Sequence, residues 1–333
     1  MRKRVLSWGT FMCDIIAAGL DKVAEPGVIE YLTQPIELRL GGHPVDLVVD
    51  LAQIGVEPRE IGFASTIGSD VFGDFLLRQV APYGFETFVR RVEGGTGKTL
   101  ILSVKGQDRM CHLDPAACMH MSLAHLKEVL CQTTPEFFTF RPGYTNLDTS
   151  MAGLLAELRR GPLEDAFLLL DLCAPYRKPW SYYLELLPHV NAVHGNRKEI
   201  IRAAGEEEFA KATQKILSLG PQAVLLTKEG DGAEIVTRRY RAAQGAFDIQ
   251  FVEPSGCGDA FCAGIVYALM QTPRRIGEMD ADGLAEALVW GQALGAAAAT
   301  EVGCVAGVTQ AKVQALLQDQ RTRVLQTTHI DRR

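Results

Sequence analysis

An α/β fold built on a mostly parallel sheet is the fold class this 333-residue sequence predicts. Three observations carry that reading. From residue 137 to residue 227, short apolar runs alternate with stretches of helical period, the order of a βαβ chain. The apolar runs at 137–140, 166–172 and 223–227 are unbroken rather than alternating, so each strand is covered on both faces. Hydrophobic residues make up 47% of the chain, ample for a large layered core.

Taken in order, residues 4–16 read as a buried first strand and 26–40 as a β-ribbon. Residues 44–54 read as a helix, with Val45, Val48, Val49 and Ala52 on one face. Residues 61–67 form a strand, and 71–83 a helix closed by Gly84. Residues 99–104 and 110–113 pair as a second ribbon, turning at Lys105-Gly106-Gln107-Asp108. The regular part follows: strand 137–140, helix 150–160, strand 166–172, helix 180–187, strand 192–194, helices 197–204 and 209–219, and strand 223–227. The last third is helical, at 258–270, 284–300 and 309–317. The two ribbons, near 10–43 and 88–118, predict a small β-sheet lid on a single domain spanning 1–333.

Composition removes several functions. A net charge of −6 with no long basic run argues against a nucleic-acid partner. No run reaches the roughly 18 apolar residues that span a bilayer. Arg2-Lys3-Arg4 leads into a segment holding Asp14 rather than the apolar core of a secretion leader. The eight cysteines are scattered without a C-x-x-C pair, which fits free thiols in a reducing cytoplasm. A cytoplasmic protein without a membrane partner is expected.

The chemistry concentrates in Glu253-Pro254-Ser255-Gly256-Cys257-Gly258-Asp259-Ala260-Phe261, a tight turn running into a buried, small-residue helix. The backbone N–H groups of Gly256, Cys257 and Gly258 fall at a helix N-terminus, where free amides and the dipole suit an anion such as phosphate. Asp259 is poorly placed to bind that anion, because like charges repel. It is well placed as the base that takes a proton from an attacking hydroxyl. The same helix end is expected to lower the Cys257 thiol pKa and favour thiolate; the other reading is a buried, inert thiol.

Four more segments fall in order before it. Gly41-Gly42-His43-Pro44-Val45-Asp46 opens the helix at 44–54, and Asp14 lies upstream of it. Thr66-Ile67-Gly68-Ser69-Asp70-Val71-Phe72-Gly73 joins a strand to a helix, with an acid suited to the helix dipole. Asn196-Arg197-Lys198-Glu199 has the spacing of a helix cap and capping box. Thr227-Lys228-Glu229-Gly230-Asp231-Gly232 follows a buried strand.

Together and in this order, these segments resemble the signatures of the ribokinase-like (PfkB) carbohydrate kinases. The resemblance covers nearly the whole chain. It implies a three-layer α/β/α sandwich with a β-sheet lid. It also implies that Asp259 is the catalytic base, with Gly256, Cys257 and Gly258 forming the anion hole. Asp14, Gly41, Gly42 and Asp46 then bind the sugar. Asn196, Glu199, Thr227, Gly230 and Gly232 hold ATP, with Glu199 reaching Mg²⁺ through water. Glu253, Ser255 and Gly303 fall where relatives bind a monovalent cation, which leaves a K⁺ site open.

The chain departs from the pattern in places. Asp46 stands where an Asn is usual, and a carboxylate accepts hydrogen bonds without donating any. Glu229 replaces a glycine, leaving Gly230 to make the turn. Asp171 matches a family acid, but Cys173 replaces the Asn near it and Arg177 is offset, so no role is assigned to them. The expected activity is ATP-dependent phosphorylation of a hydroxyl on a small molecule, a sugar first and a polyol or nucleoside as the alternative. A non-catalytic sugar or nucleotide sensor on the same scaffold is the competing class, and a homodimer through the lid is left open.

Two segments invite other readings. Gly94-Gly95-Thr96-Gly97-Lys98-Thr99 looks like a P-loop, yet Val92 stands where a glycine is required and a strand follows instead of a helix. Cys111, His112, Cys118, His120 and His125 lack the close ligand pair of a zinc site.

Overall fold

The structure is a computed structural model and describes residues 3–107, 109–143 and 150–333. Asp108, in the expected ribbon turn, lies outside them. The strands are β1 (Val5–Trp8), β2 (Met12–Leu20), β3 (Glu37–Gly41), β4 (Ile61–Gly68), β5 (Glu86–Val92), β6 (Lys98–Val104) and β7 (Met110–Asp114). They continue with β8 (Phe137–Phe140), β9 (Phe167–Asp171), β10 (Ala192–Asn196), β11 (Ala223–Thr227), β12 (Ala233–Thr237), β13 (Tyr240–Gln244) and β14 (His329–Arg332). The helices are α1 (His43–Gln53), α2 (Val71–Val80), α3 (Leu123–Thr133), α4 (Ser150–Leu158), α5 (Arg197–Ala204), α6 (Phe209–Ser218), α7 (Cys257–Met270), α8 (Ala281–Ala298) and α9 (Gln310–Gln326).

The main sheet runs β14-β13-β12-β11-β10-β9-β8-β1-β4-β5. It is parallel from β11 through to β5 and antiparallel from β11 out to β14. Alternate residues of its strands feed two separate apolar clusters. Val5, Leu169, Ala223 and Leu225 pack on one side; Leu6, Leu168, Leu170, Val224 and Leu226 pack on the other. That two-residue alternation is the pleat, and two filled faces make an α/β/α sandwich. A second, smaller sheet has the order β3-β2-β6-β7.

Several elements differ from the sequence reading, each for a physical reason. Residues 4–16 are two strands. Between β1 and β2 the chain leaves the main sheet for the small one, and because both halves are buried the hydropathy shows no break. Asp14 therefore lies on β2, in the small sheet. Residues 86–92 pair in parallel with β4 in the main sheet, so the second segment of the small sheet starts at β6. Within 26–40 only the end is strand; Ile29 and Tyr31 are exposed. Residues 180–189 form 3₁₀ turns instead of an α-helix, with Pro179 ahead of the first turn and Pro188 inside the second.

Asp70 is structural, as expected. It caps α2 through the Gly73 N–H at 2.9 Å and takes the Thr96 N–H at 2.9 Å, tying the P-loop look-alike to the main sheet. Strand β6 follows that loop. No helix among the described residues is long and apolar enough to cross a membrane.

Candidate active site

Where parallel strands end, their C-terminal edges and the helix N-termini beyond them make a cleft, and the place where strand order reverses is the usual site. Here β1 lies between β8 and β4, and the Arg141 N–H bonds the Trp8 carbonyl at 3.1 Å, just past β8. Helix α1 starts nearby. Its cap, Gly42, has φ +114°, and a Cβ there would overlap the Thr10 carbonyl. Helix α7 packs against α1 and brings its N-terminus to the same cleft. Its cap, Gly256, has φ +75°, and a Cβ would overlap the Cys304 carbonyl, so only glycine lets the loops at 253–256 and 303–304 approach this closely.

Asp259 sits in the first turn of α7 with 7% of its surface exposed. Its Oδ1 accepts from His43 Nδ1 and from Arg141 Nη2, each at 2.8 Å. Arg141 Nη2 also bonds Asp171, the last residue of β9. Asp171 Oδ2 lies 3.1 Å from His43 Nδ1, and its Oδ1 is 2.5 Å from His194 Nδ1 on β10. His194 stacks on Phe261, and its Nε2 is 3.5 Å from the hydroxyl of Thr227 at the end of β11. Burial pushes the Asp259 carboxyl up, but Arg141 and His43 outweigh it and hold it below the ordinary carboxylate value. Asp171 is buried too, yet Arg141, His194 and His43 hold it well below that value. Burial pulls the His43 imidazole down, while Asp171 and Asp259 raise it further than that, leaving it above its usual value.

Three other carboxyls near the same helix bond to no basic side chain among the described residues, although Arg109 near Asp14 and Arg141 near Asp46 partly offset their burial. Asp14 accepts from the Cys304 thiol at 3.4 Å, and burial pushes it up to about 6. Gly41 lies against that carboxyl. Asp46 takes the Gly42 N–H at 3.0 Å through Oδ2, while its buried Oδ1 has no partner among the described residues. Burial and the charges of Asp259, Asp14 and Asp50 raise it well above the ordinary value. Asp50 is fully buried with neither oxygen bonded among the described residues, and burial followed by Asp259 raises it well above that value.

Asn196 and Glu199 form a reciprocal capping box at the start of α5, with bonds of 3.0 and 2.8 Å. That uses Glu199 Oε2 and leaves Oε1 without a protein donor among the described residues. Beyond Thr227 the turn is not made by Gly230. Glu229 itself adopts φ +54°, and Gly232 follows at φ +94°. On the other side, Glu253 Oε1 accepts from the Ser255 hydroxyl at 2.5 Å and Oε2 is buried without a partner among the described residues. Arg109 Nη1 donates to Ser255 at 3.0 Å and stands 3.9 Å from Glu253. Gly303 adjoins this loop pair, next to Arg39 and Cys304.

Residues 2–311 match the pfkB family carbohydrate kinase. The chain belongs to that family. A ribokinase from Haemophilus influenzae is 24% identical over 316 residues, covering 92% of this chain and 96% of that one. Among solved structures, a Giardia lamblia ribokinase superposes with a TM-score of 0.81 at 18% identity, covering 96% of this chain and 99% of its own. An Escherichia coli protein described as a putative ribokinase II in complex with ATP and Mg²⁺ gives 0.74 at 19% identity, covering 96% of this chain and 99% of its own. These likenesses establish a ribokinase-like fold.

Against that family pattern, the cleft brings Asp14, Gly41, Gly42, Asp46 and Asp259 together from both sheets. Two expectations for α7 need correcting. The Cys257 N–H is turned toward the Pro254 carbonyl at 3.4 Å, so it is not a wholly free amide. The Cys257 thiol is no thiolate: burial pushes it up to about 12, with Glu253, Asp259 and Asp50 adding to the rise against Arg109. Desolvation there outweighs the helix dipole.

The sequence reading missed His43, Arg141 and His194, and gave Asp171 no role. His43 lies inside the quoted Gly-Gly segment, and Asp171 had been matched to a family acid. Arg141 and His194 carry no local signal. The cysteines and histidines at 111–125 do not gather. Among the described residues, His, Cys and acid groups within 4.8 Å of one another are His43–Asp171–Asp259 and Asp171–His194–Cys262. The Arg141 guanidinium already supplies the positive charge in the first group.

Proposed function

We propose that this protein is an ATP-dependent kinase that phosphorylates a hydroxyl of a neutral sugar, with Asp259 as the base. The observation that carries the reading is a carboxylate held ionised beside a helix N-terminus. A base must be unprotonated before the acceptor arrives, and Arg141 and His43 favour that form. Asp259 takes the hydroxyl proton, the freed oxygen attacks the γ-phosphorus of ATP, and ADP leaves. The N-terminal amides at Gly256–Gly258 and the α7 dipole stabilise the charge on the transferring group. Asn196, Thr227 and the turn at 229–232 hold the nucleotide.

Glu199 suits Mg²⁺ because it is a partly buried carboxyl that keeps one oxygen free of protein donors. When bound, Mg²⁺ offsets phosphate charge. A monovalent cation fits less simply. The unpartnered Glu253 Oε2 speaks for K⁺, while Arg109 competes for the same Glu253 and Ser255. The small sheet acts as a lid that excludes water as a rival acceptor.

Asp14 and Asp46 support a neutral polyhydroxyl acceptor. Sugar hydroxyls donate to these acids and so favour their ionised form, whereas an acceptor bearing carboxylate or phosphate would raise the cost of ionising them further. The exposed apolar residues Ile36, Leu38 and Leu100 on and beside the small sheet support a homodimer through the lid, which sedimentation equilibrium would test against a Leu38→Glu variant.

The test of the function is ADP release with a panel of neutral sugars, polyols, nucleosides and sugar acids, with Mg²⁺ and with or without K⁺. Turnover with a neutral sugar, lost in Asp259→Asn, supports the reading. Turnover only with a sugar acid or a nucleoside overturns the acceptor class. Binding without turnover would leave a sensor.

A further inference from the structure

The two oxygens of Asp259 have different surroundings. Oδ1 is taken by His43 Nδ1 and Arg141 Nη2, both at 2.8 Å. Oδ2 meets no protein donor among the described residues, and the side chain keeps 10% of its surface exposed. A carboxylate pinned by one oxygen has its plane fixed and its other lone pairs aimed. We propose that His43 is a positioning residue for phosphoryl transfer, which with Arg141 pins Oδ1 and presents Oδ2 to receive the acceptor proton. The proposal rests on the kinase reading above.

The geometry has three parts. Both neighbours of His43 Nδ1, Asp259 Oδ1 at 2.8 Å and Asp171 Oδ2 at 3.1 Å, are acceptors, so Nδ1 carries a proton and donates, while Nε2 is buried without a partner among the described residues. His43 cannot drift, because it is the first residue of α1, follows the tightly enclosed Gly42 and is fully buried. Asp171 is anchored in turn by Arg141 and His194, and His194 stacks on Phe261 two residues beyond Asp259. The imidazole is thus a strut between the end of β9 and the first turn of α7. Burying such a network costs stability that apolar packing would not, so packing alone does not account for it.

The charged and titratable groups facing Asp259 come from every neighbouring element: His43, Asp46 and Asp50 from α1, Arg141 after β8, Asp171 from β9, Cys257 and Cys262 from α7, and Cys304 from the adjoining loop. Without His43, Asp259 keeps Arg141 as its one bonded basic partner among the described residues, and Arg141 is shared with Asp171, which also keeps His194. The Asp259 titration then moves up, since the charged form has lost a favourable partner.

The test combines two readouts on wild type, His43→Leu and His43→Asn. Carboxyl-¹³C aspartate NMR, assigned with Asp259→Asn, follows the Asp259 midpoint directly. Steady-state kinetics across pH follow kcat and the acceptor KM. In His43→Leu the midpoint and the acid limb of kcat/KM should rise by about one pH unit. There kcat should fall roughly a hundredfold with acceptor KM little changed, as expected for a misaligned reacting group. His43→Asn, with an amide N–H near the place of Nδ1, should recover about tenfold of that loss. An Asp259 midpoint unmoved in both variants overturns the proposal, even if kcat drops along with Tm. If wild type turned over no acceptor, the kinase reading would fail by itself while the NMR titration still decided what His43 does to Asp259.

Discussion

Two sets of buried carboxyls share this cleft and behave in opposite ways. Asp171 and Asp259 are held below the ordinary carboxylate value; Asp14, Asp46 and Asp50 are raised above it. None of the five exposes more than 7% of its surface, so burial does not separate them. Directly bonded basic side chains do: Arg141, His43 and His194 bond to the first set. The second set is met by the Cys304 thiol and the Thr99 side chain at Asp14 and by a backbone amide at Asp46, while Asp50 has no partner among the described residues. Environments that push like groups apart assign them different work. Pairing favours the ionised form, which is what the base proposed above requires. The unpaired ones are costly to ionise, and a hydroxyl-bearing ligand would relieve that cost.

Removing the main cation should break this contrast most severely. In Arg141→Leu, two buried carboxyls lose their strongest partner, and breaking a buried pair in this way costs about 3–5 kcal/mol. The sign follows from depressed pKa values. Their contribution is present above the unfolded carboxylate pKa and is lost as pH falls through the lower folded value. Urea unfolding should therefore find the variant much weaker than wild type at pH 7 and closer to it near pH 3. An equal loss at both would mean the arginine matters through packing.

The unpaired set predicts the reverse. Asp14 is raised from 3.8 to about 6, a penalty absent below the unfolded value and fully felt once pH has risen through the folded one. A shift of about two units corresponds to roughly 3 kcal/mol, so Asp14→Asn should gain up to that at pH 8 and little at pH 4, while weakening acceptor binding. No gain at pH 8 would mean Asp14 is already compensated in solution.

The smallest effect concerns Cys257, which sits among acids with a thiol pushed up to about 12. Brief iodoacetamide treatment near pH 7.5 with peptide mapping should label the exposed Cys111 and Cys131 and leave Cys257 unlabelled. Early label on Cys257 would show that the helix dipole outweighs burial after all.

What could be read from the chain depended on whether the signal was local. Strands β8 and β11 and helix α5 stand where the sequence placed them, because an unbroken apolar run or an Asn cap with a Glu three residues on is written in a few neighbouring residues. The break between β1 and β2 was hidden by apolar residues buried in two different sheets. Strands β12–β14 were missed because their antiparallel edge mixes apolar positions with Glu234, Arg241 and Asp331, which pair with one another. The site divides in the same way. The turn from Gly256 to Asp259 is one continuous motif. The basic side chains that bond to its acids lie far off in sequence, with His43 216 positions from Asp259 and Arg141 30 from Asp171. They meet because successive parallel strands end at one edge, a relation no linear pattern expresses.

The contrast between paired base and unpaired binder is tested most directly by steady-state kinetics of Asp259→Asn beside Asp46→Asn, with ATP and the acceptor varied in turn. The account predicts that Asp259→Asn loses about a thousandfold in kcat while still binding acceptor. Asp46→Asn should keep kcat within about tenfold and change chiefly the acceptor KM. A collapse of kcat in Asp46→Asn, or substantial turnover by Asp259→Asn, would contradict it.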